Sequence, residues 1–312
     1  MLSYLLPILL AGLVGSLAQK TGLCMVRGVQ ELLAKRSGFL AAILCCGFWF
    51  WLVIPSAIGD SVSITMSRYS ASPLFGLGGF LFGLGAALNK GCSISTISKL
   101  SKGHFYMFST VLGWMLGWSF LASIPVSFEY NTLSSINSPP ITVSAVLFTL
   151  VALILFRIPQ QRRPILLGII LFGIIASILT YQVPHWSPSQ LLKDISAASI
   201  HGESEKWPSL QRYLIILGLV FGMAVSAKKR LPLNEFKLRP LQLILHLCAG
   251  VIMGIGASLA LGGNDSQLLV ALPSFSPAGA ITIISMIVGI SSGILVRKAI
   301  HRFTSKATKD IK

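Results

Sequence analysis

Acidic residues are almost missing from this 312-residue chain: nine Asp and Glu stand against 25 Lys and Arg, for a formal charge of +16. Charged residues of both signs amount to only 11%, and long apolar runs are nearly free of them. One soluble core has no use for so much apolar surface, so a polytopic membrane protein is predicted. The basic residues lie in short connections between apolar runs, which assigns them to topology rather than to nucleic acid. Cys24, Cys45, Cys46, Cys92 and Cys248 follow no zinc or haem spacing, and the five histidines form no ligand set. No metal and no cofactor is therefore expected. A phosphate-cradling glycine loop ending in Lys-Ser/Thr is also lacking, which excludes direct use of ATP. The run from Leu5 to Ala18 has no basic region before it and no small-residue cleavage pattern after it, so it reads as a mature helix.

Apolar spans are expected at about 4–18, 38–57, 73–88, 105–127, 141–157, 164–182, 212–226, 241–259 and 277–296. Several are short for a hydrocarbon core of about 30 Å. Between them, residues 19–37, 89–104, 183–205 and 260–276 each join a break marked by Gly, Ser or Pro to a short helix-compatible run. These read as re-entrant half-helices, because irregular backbone at membrane depth must be buried in protein or line a wet cavity. The expected fold is an all-α integral membrane protein, with about nine transmembrane helices plus four half-helices.

Gly79 to Ser95 aligns without a gap on Gly250 to Ser266, with identity at seven of seventeen positions. Fourteen of the 25 basic residues lie in 157–163, 228–239 and 297–312, which puts those segments in the cytoplasm and the N-terminus outside. On that layout the helix ending at Leu88 runs inward and its copy ending at Leu259 runs outward. The duplication is then an inverted repeat, with halves of about 4–127 and 164–296 and a linker helix at 141–157; Pro7-Ile8-Leu9-Leu10 recurring as Pro164-Ile165-Leu166-Leu167 extends it.

Matched breaks in two halves mark a transporter's substrate site. Cys92 follows Asn89-Lys90-Gly91 and precedes Ser93, at a helix start whose free N–H groups and positive dipole favour an anion. The competing reading is a small residue tolerated at a crowded turn. Cys24 has a similar setting, with Arg27 three residues on and on the same helical face. Lys90 is expected to face the pathway, and Lys99 and Lys102 to lie at the interface. Gly263, Asn264 and Asp265 form the partner break, where a structural cap competes with a substrate contact. Cys45, Cys46 and Cys248 read as core packing within unbroken runs, and Trp114 and Trp118 as a packing face with Gly113 and Gly117.

Gly22-Leu23-Cys24-Met25, Arg36-Ser37-Gly38-Phe39, Gly83-Leu84-Gly85-Ala86 leading to Lys90-Gly91-Cys92-Ser93, and Gly263-Asn264-Asp265 to Pro273 resemble the YeeE/YedE family of sulfur-compound transporters. The resemblance covers most of the chain, and its cysteine-bearing breaks are the most specific part. It implies nine membrane helices with several half-helices in a bacterial inner membrane, and uptake of thiosulfate or a related sulfur anion past successive cysteines. Those cysteines would be Cys24 and Cys92; a third is implied in the second half, where this chain has Gly263-Asn264-Asp265 and offers an amide instead.

Two functions remain open on sequence. In one, a non-enzymatic carrier passes a small sulfur anion between half-helix tips, contacting Cys24, Cys92, Gly91, Ser93, Asn264, Lys90, Arg27 and Gly263. In the other, a membrane sulfurtransferase forms a cysteine persulfide and hands it to a cytoplasmic TusA-like or rhodanese-like sulfur carrier.

Overall fold

The computed structural model describes residues 2–53, 66, 68–124, 130–134, 146, 149, 160–201, 207–227 and 239–307, and most of them are helical. The first part holds α1 (Leu2–Thr21), α2 (Met25–Leu33), α3 (Gly38–Cys45), α4 (Pro73–Leu88), α5 (Ser93–Leu100) and α6 (Met107–Ala122). The second holds α7 (Arg163–Gln182), α8 (Pro188–His201), α9 (Leu210–Val225), α10 (Pro240–Leu259), α11 (Asn264–Ser266) and α12 (Pro277–Ala307). α11 continues into a π-helical turn over Gln267–Ala271. Each of the four stretches expected to hold a short helix holds one: α2, α5, α8 and α11.

Tyr4–Leu33, Gln160–Gln182, Pro240–Leu259 and Pro277–Ala299 are long and apolar enough to cross a membrane, the first of them interrupted between α1 and α2. Met107–Ala122 and Leu210–Val225 are shorter apolar helices. Large apolar side chains stand exposed at helical spacing, as with Leu5, Leu9 and Leu13 on α1 and Leu112, Leu116 and Phe120 on α6. Only lipid accepts such stripes at low free energy, and the chain is an all-α, multi-pass membrane protein.

The long helices stop where one residue takes the left-handed conformation. After α4, Lys90 (φ 58°) lets its N–H reach Ala87 O at 3.2 Å and that of Gly91 reach Ala86 O at 2.9 Å. After α10, Leu261 (φ 57°) does the same with Ser258 O at 3.2 Å, and Gly262 with Ala257 O at 2.8 Å. These are paired Schellman closures at matching positions of the duplication, each satisfying carbonyls that a helix end leaves orphaned. α1 closes in the same way at Gly22 (φ 64°), where the Leu23 N–H bonds Ala18 O at 3.0 Å.

Small residues set the helix spacing, as expected where lipid removes the hydrophobic drive and close backbone approach must supply the attraction. A Cβ on Gly85 would stand 2.8 Å from Ala249 O and 2.8 Å from Met253, and one on Gly78 2.7 Å from Gly256 O. Residue 78 thus meets 256 while 85 meets 249 and 253, so α4 and α10 pack antiparallel. Other contacts come in exchanged pairs: Gly83 lies on Met286 while Gly254 lies on Trp114, and Gly117 lies on Val251 while Gly289 lies on Phe80. The predicted packing face at Gly113 and Gly117 is therefore the face α6 offers α10.

Three differences from the expected layout stand out. The span 38–57 is not one helix: α3 ends at Cys45, residues 46–49 form turns, and helix resumes at Phe50. The reason is tertiary, because Gly47 is pressed against the Leu268 carbonyl and Pro273 of the second break. A two-residue antiparallel ribbon, Arg68–Tyr69 with Thr132–Leu133, adds strand to a fold expected to be wholly helical. The linker helix at 141–157 lies outside the described residues, apart from 146 and 149.

Candidate functional site

The two breaks meet tip to tip. Ser93, first residue of α5, donates from Oγ to Asn264 Oδ1 at 2.7 Å, and its N–H lies 3.4 Å from the same oxygen. Asn264 is the first residue of α11 and the counterpart of Ser93 in the duplication. Both are buried, at 0% and 3% exposure, so this bond is shielded from competing water. The break residues before them share a conformation: Cys92 has φ −82° and ψ −172°, Gly263 φ −78° and ψ −176°.

Cys92 and Cys24 occupy the cap positions of α5 and α2, and no side-chain hydrogen bond caps either helix. The thiols lie within hydrogen-bonding reach of each other; Cys24 also has Ser95 and the Arg27 N–H nearby, and Cys92 the Met25 and Ser95 N–H groups. Two helix starts whose own cap side chains make no hydrogen bond to the helix therefore aim amide donors at a pair of soft sulfur atoms. With Asn264, Asp265 and Cys46 these thiols line a cavity of about 20 Å³, which holds roughly one water.

Cys46 was expected to pack within an unbroken run; the turn after α3 instead sets it, 2% exposed, on the wall of this cavity. It is a third thiol at the site, supplied by the first part of the chain. Only Gly47 in that apolar stretch hinted at a turn.

A buried polar node holds the first break in place. Asn89, fully buried, donates from Nδ2 to Gly91 O and to Thr96 Oγ1, each at 2.9 Å. Its Oδ1 accepts from Thr110 Oγ1 and from His246 Nδ1, each at 2.7 Å. Every hydrogen-bonding position of the amide is used, and the bond to Oδ1 assigns the proton of His246 to Nδ1. One side chain thereby ties α5, α6 and α10 to the turn that presents Cys92.

The basic residues are distributed differently from their sequence spacing. Arg27 does share a face with Cys24, but its guanidinium bonds Glu31 Oε1 at 3.1 Å and Thr21 O at 2.9 Å, and lies 4.3 Å from the Phe39 ring centre. Glu31 is held in turn by Arg162 at 2.9 Å. Lys90 is exposed, and its carbonyl accepts from Lys99 Nζ at 2.8 Å. Lys99, expected at the interface, is half-buried beside the first break, near enough for its charge to interact with Cys24 and Cys92. Its position seven residues after Cys92, two turns along one helical face, was the available signal. Gly91 leaves room for this arrangement, since a Cβ there would collide with Ser95 Oγ and stand 3.4 Å from Lys99 Nζ.

The second break has its own chemistry. Asp265 is 3% exposed and caps a different helix, its Oδ2 accepting from the Ser189 N–H near the start of α8 at 2.9 Å. Beyond it opens a cavity of about 350 Å³ walled by the α7–α8 connection and the second break, including His185, Ser187, Gln190, Lys193, Ser266 and Gln267. Burial first, and the Arg212 guanidinium second, hold the His185 imidazole below its ordinary pKa, so it enters this vestibule as the neutral form. Arg212 is itself paired with Asp194.

The cluster can bind a small anion with sulfur character: amide N–H groups take the charge, thiols the polarisable atom, and one ammonium biases the field. Among the described residues no group of His, Cys, Asp and Glu is placed to hold a metal ion. No curated protein matches the chain at a significant level. A sequence profile described as sulphur transport matches residues 127–291, more than half of the chain, including the second break but neither Cys24 nor Cys92. On that match the chain belongs to the sulphur transport family, the YeeE/YedE group that its cysteine-bearing breaks resemble.

Proposed function

We propose that this sulfur transporter takes thiosulfate inward across a bacterial inner membrane, between two inverted halves whose half-helices α2, α5, α8 and α11 meet near the midplane. The observation that carries the reading is the pairing of Cys24 and Cys92 at the starts of two short helices, on a cavity shared with Cys46 and Asn264. Antiparallel packing of α4 on α10, and the exchanged glycine contacts, support the inverted arrangement. The vestibule then faces outside and the Lys99 cluster faces the cytoplasm, in keeping with the charge bias of the connections.

Thiosulfate has one soft terminal sulfur and three hard oxygens. The thiols suit the first; the N–H groups of α2 and α5 and the amide NH2 of Asn264, whose Oδ1 is taken by Ser93, suit the others. Contacts of this kind are each weak enough to exchange, as conduction requires. A cavity with room for about one water is an occluded state, so the tips must separate for the anion to pass. A sulfurtransferase that hands persulfide to a cytoplasmic carrier is less well supported, because Cys92 is only 1% exposed and a carrier needs a reachable thiol.

The test is uptake of labelled thiosulfate into proteoliposomes holding this chain alone. Uptake is expected to exceed that of empty vesicles and to fall at least tenfold in Cys92→Ala. Wild-type flux equal to that of empty vesicles rejects the proposal.

A further inference from the structure

The space at Gly263 that corresponds to the Cys92 side chain is already taken. A Cβ on Gly263 would stand 2.9 Å from Asp265 Oδ1, 2.9 Å from the Ser189 Cβ and 3.0 Å from Trp114 Cζ2. Where the first half presents a thiol, the second presents a carboxylate oxygen. That oxygen makes no hydrogen bond, although it is buried, and Asp265 lines the same cavity as the three thiols.

A buried carboxylate without a cation is costly in its charged form. Ser189 of α8 contacts Asp265; Cys24 of α2, Cys46 after α3, Cys92 of α5 and Phe172 of α7 line the cavity with it, and Trp114 of α6 lies beside Gly263. Among the described residues no Lys, Arg or His forms an ion pair with it. His185 and Lys193 belong to the vestibule, and Lys99 acts on the thiols. An anion entering the cavity would meet a like charge offset only by neighbouring hydrogen-bond donors and by no cation, unless a proton arrived with it.

A route for that proton is present. Ser187 and Ser266 line the vestibule, and Ser189, fully buried, lies with its Oγ 3.4 Å from Ser187 Oγ and 3.3 Å from Ser266 Oγ. The same Ser189 bonds Asp265 through its N–H. Hydroxyls thus lead from the vestibule to Ser189, whose side chain also lies within reach of the carboxylate, while the Ser189 N–H and the positive end of α8 keep the ionised form accessible once the anion has left.

We infer that Asp265 takes up one proton from the vestibule as the anion enters the cavity and gives it up to the cytoplasmic side as the anion leaves, which makes the protein a proton–anion symporter. The inference rests on the transport reading above. The proton neutralises Asp265, the neutral acid donates to the anion, and with a dianion such as thiosulfate one net negative charge crosses with each coupled proton.

The test uses full-length protein in vesicles loaded with a pH-sensitive dye and given external thiosulfate. Internal acidification should accompany labelled uptake, and an inside-alkaline gradient of one unit should raise accumulation by up to about tenfold per coupled proton. Asp265→Asn, which keeps an acceptor for Ser189, should admit thiosulfate without acidification and without response to the gradient; Ser189→Ala should slow both fluxes together. Wild-type uptake without acidification overturns the symport while leaving the transport reading standing. Infrared spectroscopy decides the case even without flux or a folded variant. Thiosulfate binding should bring up a protonated-carboxyl band in the wild type that is missing from Asp265→Asn; wild-type carboxyl bands unchanged by thiosulfate overturn the inference.

Discussion

Replacing Asn89 by Ala tests whether the first break is held by its polar node. The substitution removes four hydrogen bonds, to Gly91 O, Thr96 Oγ1, Thr110 Oγ1 and His246 Nδ1. In membrane proteins such bonds average about 0.6 kcal/mol each, which gives roughly 2.4 kcal/mol for four. Thr96 keeps a bond to Cys92 O at 2.9 Å, so it is not stranded. The Thr110 hydroxyl and the Gly91 carbonyl lose their strong partner, and a stranded buried group adds about 1 kcal/mol or more. The expected loss is therefore about 4 kcal/mol. Thr110→Val removes one of the four bonds and should lose about 0.6 kcal/mol. Detergent-driven unfolding in mixed micelles measures both. Equal losses in the two variants, or a loss under about 1 kcal/mol for Asn89→Ala, would refute the node. The displaced tip should also lower thiosulfate uptake in that fraction of Asn89→Ala which remains folded.

The facing thiols predict that a mild oxidant joins Cys24 to Cys92 and stops uptake, that a reductant restores it, and that Cys24→Ala vesicles escape the block; loss of activity in that variant under the same oxidant would point elsewhere. Lys99→Gln should raise the half-saturating thiosulfate concentration about five-fold, as expected for loss of roughly 1 kcal/mol of charge interaction, while Lys99→Arg largely preserves it; an unchanged value in Lys99→Gln removes that lysine from the site. Gly254→Ala would push a Cβ into the Trp114 carbonyl and should destabilise by about 1–3 kcal/mol. Gly76→Ala, with its nearest neighbour at 3.6 Å, should be neutral or gain up to about 1 kcal/mol. Equal melting temperatures for these two variants would contradict the packing described. Gly263→Cys should lower expression and stability because Asp265, Ser189 and Trp114 fill the space; wild-type stability would show that the counterpart of Cys92 has room for a thiol.

Most of the scaffold was legible because it is written in the backbone code of glycine and short polar residues. The helix expected over 73–88 coincides with α4, and all four half-helix stretches contain a short helix, since each is announced by residues that end one helix or start another. What escaped was decided by tertiary contact. The run around Cys46 has hydropathy to spare for a continuous helix, and only the approach of Leu268 and Pro273 to Gly47 breaks it. Arg27 lies on the face its spacing predicted, yet Glu31 at i+4 and the Phe39 ring compete for its guanidinium. For Asn264 and Asp265 a cap is one of two sequence readings, beside a substrate contact, and spacing assigns a cap to its own helix. Here Asn264 serves α5 and Asp265 serves α8, pairings of residues 171 and 76 positions apart that no local pattern encodes.

The two breaks agree in backbone and differ in side chain, and that asymmetry bears on direction. With identical tips, a two-fold arrangement would offer an anion the same chemistry from either side. Cys92 and Lys99 give one tip a soft donor and a nearby positive charge; Gly263 and Asp265 give the other a carboxylate fed by serine hydroxyls. On the proposed pathway, an anion approaching from the vestibule must first satisfy the carboxylate and only then reach the thiols, whereas one approaching from the lysine side meets attraction first and the carboxylate last. Under the proposed symport, protonation on the vestibule side favours entry there, and the positive field beyond the thiols favours onward passage. A single substitution in one copy of a duplicated turn, from a thiol-bearing residue to glycine or the reverse, opens or closes the space in which that carboxylate sits.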